Sequence, residues 1–64
     1  MVKINGEYLN VVGKSVLDYL TSTGYDLMHI AVELNGAIIP KRQYSCTFLN
    51  DGDNVEVVSF VGGG

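Results

Sequence analysis

A run of glycines closes the sequence, Val61-Gly62-Gly63-Gly64, and the chemistry it offers is that of a carboxylate with nothing bulky in front of it. An α-carboxylate has a reference pKa of about 3.3 to 3.7 and is ionised at neutral pH. In that form it resists acyl transfer, because its oxygen is a poor leaving group. Attack by the carboxylate on the α-phosphorus of ATP gives an acyl-adenylate, which a thiolate or persulfide can open. Glycine has no Cβ to obstruct a narrow channel, and four residues reach about 13 Å. Ordering them costs on the order of 4 to 8 kcal/mol, which a partner must recover through backbone bonds and contacts with the globular face. Gly64 is therefore the candidate modified residue, and Gly62 and Gly63 are its slender approach.

The chain offers little other reactive equipment. Cys46 and His29 are the single cysteine and the single histidine. Cys46 reads as a partly buried or incidental thiol in a loop, since a terminal acyl group already supplies the carrier chemistry. His29 reads as a surface residue on a strand, with no nucleophile or carboxylate near it in sequence that completes a catalytic group. Asp51 and Asp53 resemble the start of a calcium loop, but the remaining ligands at the required spacing are missing, and turn formation explains them. No catalytic residue, metal site or bound cofactor is assigned. ATP and magnesium, like the groups that would act on Gly64, must come from an activating partner.

Sixty-four residues make one domain. A chain this short buries only about 60% of the surface that its unfolded form exposes, so no second core is available. Seven acidic residues against four basic ones give a formal charge of -3. The one adjacent basic pair, Lys41-Arg42, reads as the solvated end of a hairpin with Asp51 or Asp53 within pairing range. Such a balance argues against a nucleic-acid role. Tyr8, Tyr19, Tyr25 and Tyr44 form no alternating stripe for base stacking and read as separate rim and interface aromatics. One cysteine permits no intrachain disulfide. The apolar runs are far shorter than the roughly 20 residues that cross a bilayer. These features point to a cytoplasmic protein that is a monomer when free.

The elements that must hold the tail follow from periodicity. Val2-Lys3-Ile4, Asn5-Gly6 and Glu7 to Val11 predict a hairpin with a type I′ turn, which collects Val2, Ile4, Leu9 and Val11 on a core face. Ser15 and Asp18 have capping-box spacing and open a helix of about two turns, with Val16, Leu17 and Leu20 buried, Tyr19 at the margin and Gly24 as its C-terminal stop. His29 to Leu34 reads as the third strand, with Ile30, Val32 and Leu34 inward. Asn35-Gly36 turns it into the short strand Ala37-Ile38-Ile39, which Pro40 ends. Lys41 to Thr47 has room for one helical turn, and Asn50 to Asp53 is a tight turn. Val55 to Phe60 is a β-branched last strand suited to the middle of the sheet. Val55, Val57 and Ser59 point to one face. Glu56, Val58 and Phe60 point to the other, which a single helix cannot also cover. Val58, Phe60 and Val61 are thus the candidate docking residues beside the tail.

This order predicts an α+β fold of the β-grasp, ubiquitin-like kind: a mixed sheet on one short helix over residues 1–60, with a flexible glycine-rich tail over 61–64. The segments Val32-Glu33-Leu34-Asn35-Gly36-Ala37-Ile38-Ile39-Pro40-Lys41-Arg42, Asp51-Gly52-Asp53-Asn54-Val55-Glu56-Val57-Val58 and Val61-Gly62-Gly63-Gly64 resemble the bacterial sulfur-carrier proteins of thiamin biosynthesis. The resemblance covers nearly the whole chain. It implies that Gly64 is adenylated by an ATP-dependent enzyme, converted to a thiocarboxylate with sulfur from a donor protein, and presented to thiazole synthase. Tyr44 stands where many members carry Trp. The small thiocarboxylate-forming subunit of molybdopterin synthase is similar in fold and ending, and a β-grasp module that only binds partners is the alternative from another class.

Overall fold

The computed structural model describes residues 1–60. Two Asn-Gly turns organise it. The first joins β1 (Val2–Ile4) to β2 (Glu7–Leu9), and the second joins β3 (Ile30–Leu34) to β4 (Ala37–Ile39). Asn5 and Gly6 have φ of 50° and 84°, and Asn35 and Gly36 have 51° and 87°. A type I′ turn needs positive φ at both central positions, which Asn tolerates and Gly adopts freely. The register of the first hairpin pairs Val2 with Leu9, Lys3 with Tyr8 and Ile4 with Glu7, as the two-residue turn requires.

The last strand, β5 (Asn54–Ser59), lies in the middle of the sheet, whose order is β2-β1-β5-β3-β4. It runs parallel to β1 and antiparallel to β3. One helix, α1 (Val16–Thr23), packs on one face of this mixed sheet, which is the β-grasp arrangement.

Both turn asparagines also bind β5. Beyond the end of β1, Val57 N–H donates to Asn5 Oδ1 at 2.7 Å, and Asn5 Nδ2 donates to the Val57 carbonyl at 3.2 Å. The side-chain amide thereby stands in for one more peptide unit of the parallel ladder. Beyond β3, Asn54 N–H donates to Asn35 Oδ1 at 2.9 Å, and Asn35 Nδ2 donates to Asp53 Oδ1 at 3.0 Å. An Asn5→Gly variant keeps the turn geometry but leaves the Val57 backbone groups without these partners. It should lose about 1 to 3 kcal/mol of stability in urea denaturation. A loss below roughly 0.3 kcal/mol would mean that water replaces the amide.

The helix begins at Ser15, whose Oγ accepts from Asp18 N–H at 3.0 Å. Among the described residues the Asp18 carboxylate makes no return bond, so only half of a capping box forms. The helix ends in a Schellman motif: Gly24 takes φ 83°, its N–H donates to the Thr21 carbonyl, and Tyr25 N–H donates to Leu20 at 3.1 Å. Thr21, Ser22 and Thr23 are poor helix formers, and each hydroxyl donates back to a carbonyl of the preceding turn.

The core consists of Val2, Ile4, Val16, Tyr19, Leu20, Ile30, Val32, Tyr44, Leu49, Val55 and Val57. Leu9, Val11, Leu17 and Leu34 are half-buried against it. Several expectations therefore change. Tyr19 is buried and Leu17 is half-buried, because Val16, Tyr19 and Leu20 share the face that meets the sheet at spacing i, i+3, i+4. Tyr44 is 3% exposed and belongs to the core instead of the rim. Residues Lys41–Cys46 form a 3₁₀ helix, longer than one turn, that lies against α1 and carries Tyr44 inward. Ser59 follows Val57 on the core side of β5, but it sits at the end of the sheet and is exposed.

Candidate functional site

The site is built where β5 runs out toward the tail. The last backbone bond of the described fold joins Phe60 N–H to the His29 carbonyl at 2.8 Å. Val61, Gly62, Gly63 and Gly64, which include the candidate modified residue and its approach, lie outside the described residues.

His29 does not belong to β3. It ends a single 3₁₀ turn, Leu27–His29, because Asp26 caps that turn: Asp26 Oδ1 accepts from Met28 N–H at 3.0 Å, and His29 N–H donates to the Asp26 carbonyl at 3.0 Å. The local Asp bond outcompetes one more residue of strand pairing. The His29 ring packs edge-on to Phe60, with centroids 6.2 Å apart, and its Nδ1 lies 2.7 Å from Asp26 Oδ2.

The His29 bond, with help from the Met28 amide, holds the Asp26 carboxyl below its ordinary range. A depressed folded pKa stabilises the fold above the unfolded carboxylate value of about 3.9, and that contribution fades as pH falls through the folded value. In a His29→Ala variant the Asp26 midpoint should rise, while the remaining Met28 bond keeps it from returning fully. Carboxyl-carbon NMR titration reads this directly, and an unchanged midpoint would show that the His29 bond does not form in solution.

The sheet face opposite α1 has no covering element. Its side chains form rungs set by strand register: Glu56 of β5, Glu33 of β3 and Ile38 of β4 on one, Val58 and Ala31 on the next, then Phe60 beside His29. Val58 is 54% exposed, Phe60 50% and Ile38 71%. The outward direction of Val58 and Phe60 was legible from alternation along β5. Ile38 was missed, although the Asn35-Gly36 turn fixes its register opposite Glu33.

The remaining candidates fall elsewhere. Cys46 is exposed at the end of the second 3₁₀ helix, with Sγ 3.5 Å from the Gln43 carbonyl. Asp51 pairs with the Met1 ammonium, not with Lys41 or Arg42. Asp53 accepts from Asn35 and from Asn50 N–H, so it serves its turn. Among the described residues no group of three His, Cys, Asp or Glu could hold a metal ion, and no helix is long and apolar enough to cross a membrane.

A five-stranded mixed sheet with a central last strand, one capped helix beneath it and an uncovered outer face defines a ubiquitin-like β-grasp protein. The sequence matches the ThiS family over residues 2–64, and the chain belongs to that family. It is 39% identical to a sulfur carrier protein ThiS of Thermus thermophilus, with the whole of both chains covered. It is 42% identical to part of a thiazole synthase of Paramagnetospirillum magneticum, where 95% of this chain spans 19% of the longer protein. The crystal structure of a thiamine biosynthesis protein (ThiS) from Geobacter metallireducens superposes with a TM-score of 0.79 at 28% identity. That match covers 98% of this chain and 97% of the other.

Proposed function

We propose that Gly64 carries the chain's free carboxylate and that this group is the sulfur-bearing position of a carrier in thiamin biosynthesis. The family match that runs through residue 64 carries this reading. A partner enzyme supplies ATP and magnesium. The carboxylate oxygen attacks the α-phosphorus and pyrophosphate leaves. The terminal sulfur of a persulfide, provided by a sulfur donor protein, then displaces AMP from the acyl carbon, and a thiol releases the thiocarboxylate. Gly62 and Gly63 form the narrow approach, and Val58, Phe60 and Val61 meet the partner beside the tail. The segments of thiazole synthases at 42% and 34% identity support thiazole synthase as the protein that takes the sulfur, and they favour the thiamin branch over molybdopterin synthase.

With the adenylating enzyme, ATP, magnesium and a sulfur donor, intact mass should rise by about 16 Da. That is the replacement of one carboxyl oxygen by sulfur at the terminus described above. The gain should map to the C-terminal peptide. An unchanged mass under conditions that load the Thermus relative would sink the reading.

A further inference from the structure

Glu33 and Glu56 stand directly opposite each other in the antiparallel β3–β5 ladder, both on the uncovered face. Directly opposed residues have Cβ atoms about 5 Å apart, and like charges there destabilise a sheet. Neither glutamate is paired with a cation among the described residues. The nearby lysine on this face, Lys3, lies instead over the Tyr8 ring, with Nζ 5.7 Å from its centroid. A repulsive rung kept in the middle of a small sheet departs from the local rules that otherwise shape this fold, and such departures concentrate at functional surfaces. Exposed Ile38 borders the rung on one side, and Val58 lies one rung nearer the tail, about 7 Å along β5.

We infer that this rung is a charge-selecting element, and that it docks thiazole synthase through an arginine or lysine set among apolar side chains. The inference rests on the sulfur-carrier reading for its choice of partner. A cation placed between the two carboxylates would remove their repulsion on docking, so the charge pair favours the complex over the free carrier. The apolar neighbours exclude water and strengthen that attraction. The distance from the rung to Phe60 is about 13 Å along β5, so the element would fix how the carrier sits before its tail enters.

The test compares two double variants with the same change in net charge. Glu33→Lys with Glu56→Lys alters the outer face. Glu7→Lys with Asp18→Lys alters the opposite side, where Asp18 lies on α1 and Glu7 acts electrostatically on buried Tyr19. Calorimetric binding to the thiazole synthase of the same organism should weaken on the order of tenfold or more for the outer-face pair, and the salt dependence should fall. The helix-side pair should bind within about twofold of the parent. Glu33→Gln with Glu56→Gln should weaken binding while leaving the melting temperature equal or higher, because the repulsion is gone. Equal binding by the outer-face variant, or an equal loss from the helix-side pair, overturns the inference. So does a loss confined to the adenylating enzyme, which would assign the rung to the other partner. Absence of the 16 Da gain with charge-dependent binding intact would count against the carrier reading alone.

Discussion

A single alanine appended after Gly64 is expected to reduce sulfur loading by at least about a hundredfold while leaving the melting temperature unchanged. The added residue moves the carboxylate about 3.5 Å along an extended chain. Attack on a phosphorus atom requires reacting atoms about 3 to 3.5 Å apart, and a misplacement of 1 Å can already cost roughly a hundredfold. A Cβ now also precedes the carboxylate in a channel taken to admit glycine. The fold has no reason to respond, since its last described backbone bond is made by Phe60. Intact mass after incubation with the activating system reads the loading, and thermal denaturation reads the fold. Normal loading of the extended chain would mean either that the adenylating site tolerates a displaced terminus or that the sulfur is attached elsewhere. Removing Cys46 by substitution with Ser separates these outcomes, because Cys46 is the exposed thiol that could hold sulfur instead.

The parts of this fold that could be read in the sequence are those fixed by local chemistry. Asn5-Gly6 and Asn35-Gly36 each specify a turn conformation, the turn specifies register, and register sends Val58 and Phe60 to the outer face. Ser15 and Gly24 mark the helix ends for equally local reasons. What could not be read depends on contacts between distant segments. The use of the Asn5 amide by Val57 spans 52 residues, and nothing in the spacing of either segment announces it. His29 was assigned to a strand because apolar alternation begins next to it, whereas the Asp26 cap that diverts it is a side-chain effect. Tyr19 was misplaced for a different reason. Strict i, i+3, i+4 spacing from Val16 selects it over Leu17, but residue hydrophobicity favoured the leucine. The Glu33–Glu56 rung needs both register and strand order, so it emerges only once β5 is placed between β1 and β3.

Tyr44 gives the largest expected effect on stability. Its 3₁₀ segment follows Pro40, which has extended backbone and starts the helix without a side-chain cap. The segment is followed by the Thr47 carbonyl, which accepts from Val16 N–H at 2.8 Å, and by an isolated bridge between Ser15 and Phe48. The ring of Tyr44 therefore fills the core beside the start of α1 while its chain neighbours tie that start down. No buried polar side-chain atom lacks a partner among the described residues, and Tyr44 makes no hydrogen bond of its own, so its oxygen retains contact with solvent. Burial pushes the phenol upward, which keeps it neutral at physiological pH. Tyr44→Phe should cost less than about 1 kcal/mol, since no internal bond is lost. Tyr44→Ala should cost about 3 to 5 kcal/mol, as for other buried aromatics. A domain of this length has only about 3 to 10 kcal/mol in hand, so the alanine variant should melt far below the parent or fail to fold. Urea denaturation of the parent and both variants measures the difference. A loss below about 1 kcal/mol in Tyr44→Ala would show that the 3₁₀ segment can lift away, leaving the helix held by the sheet alone.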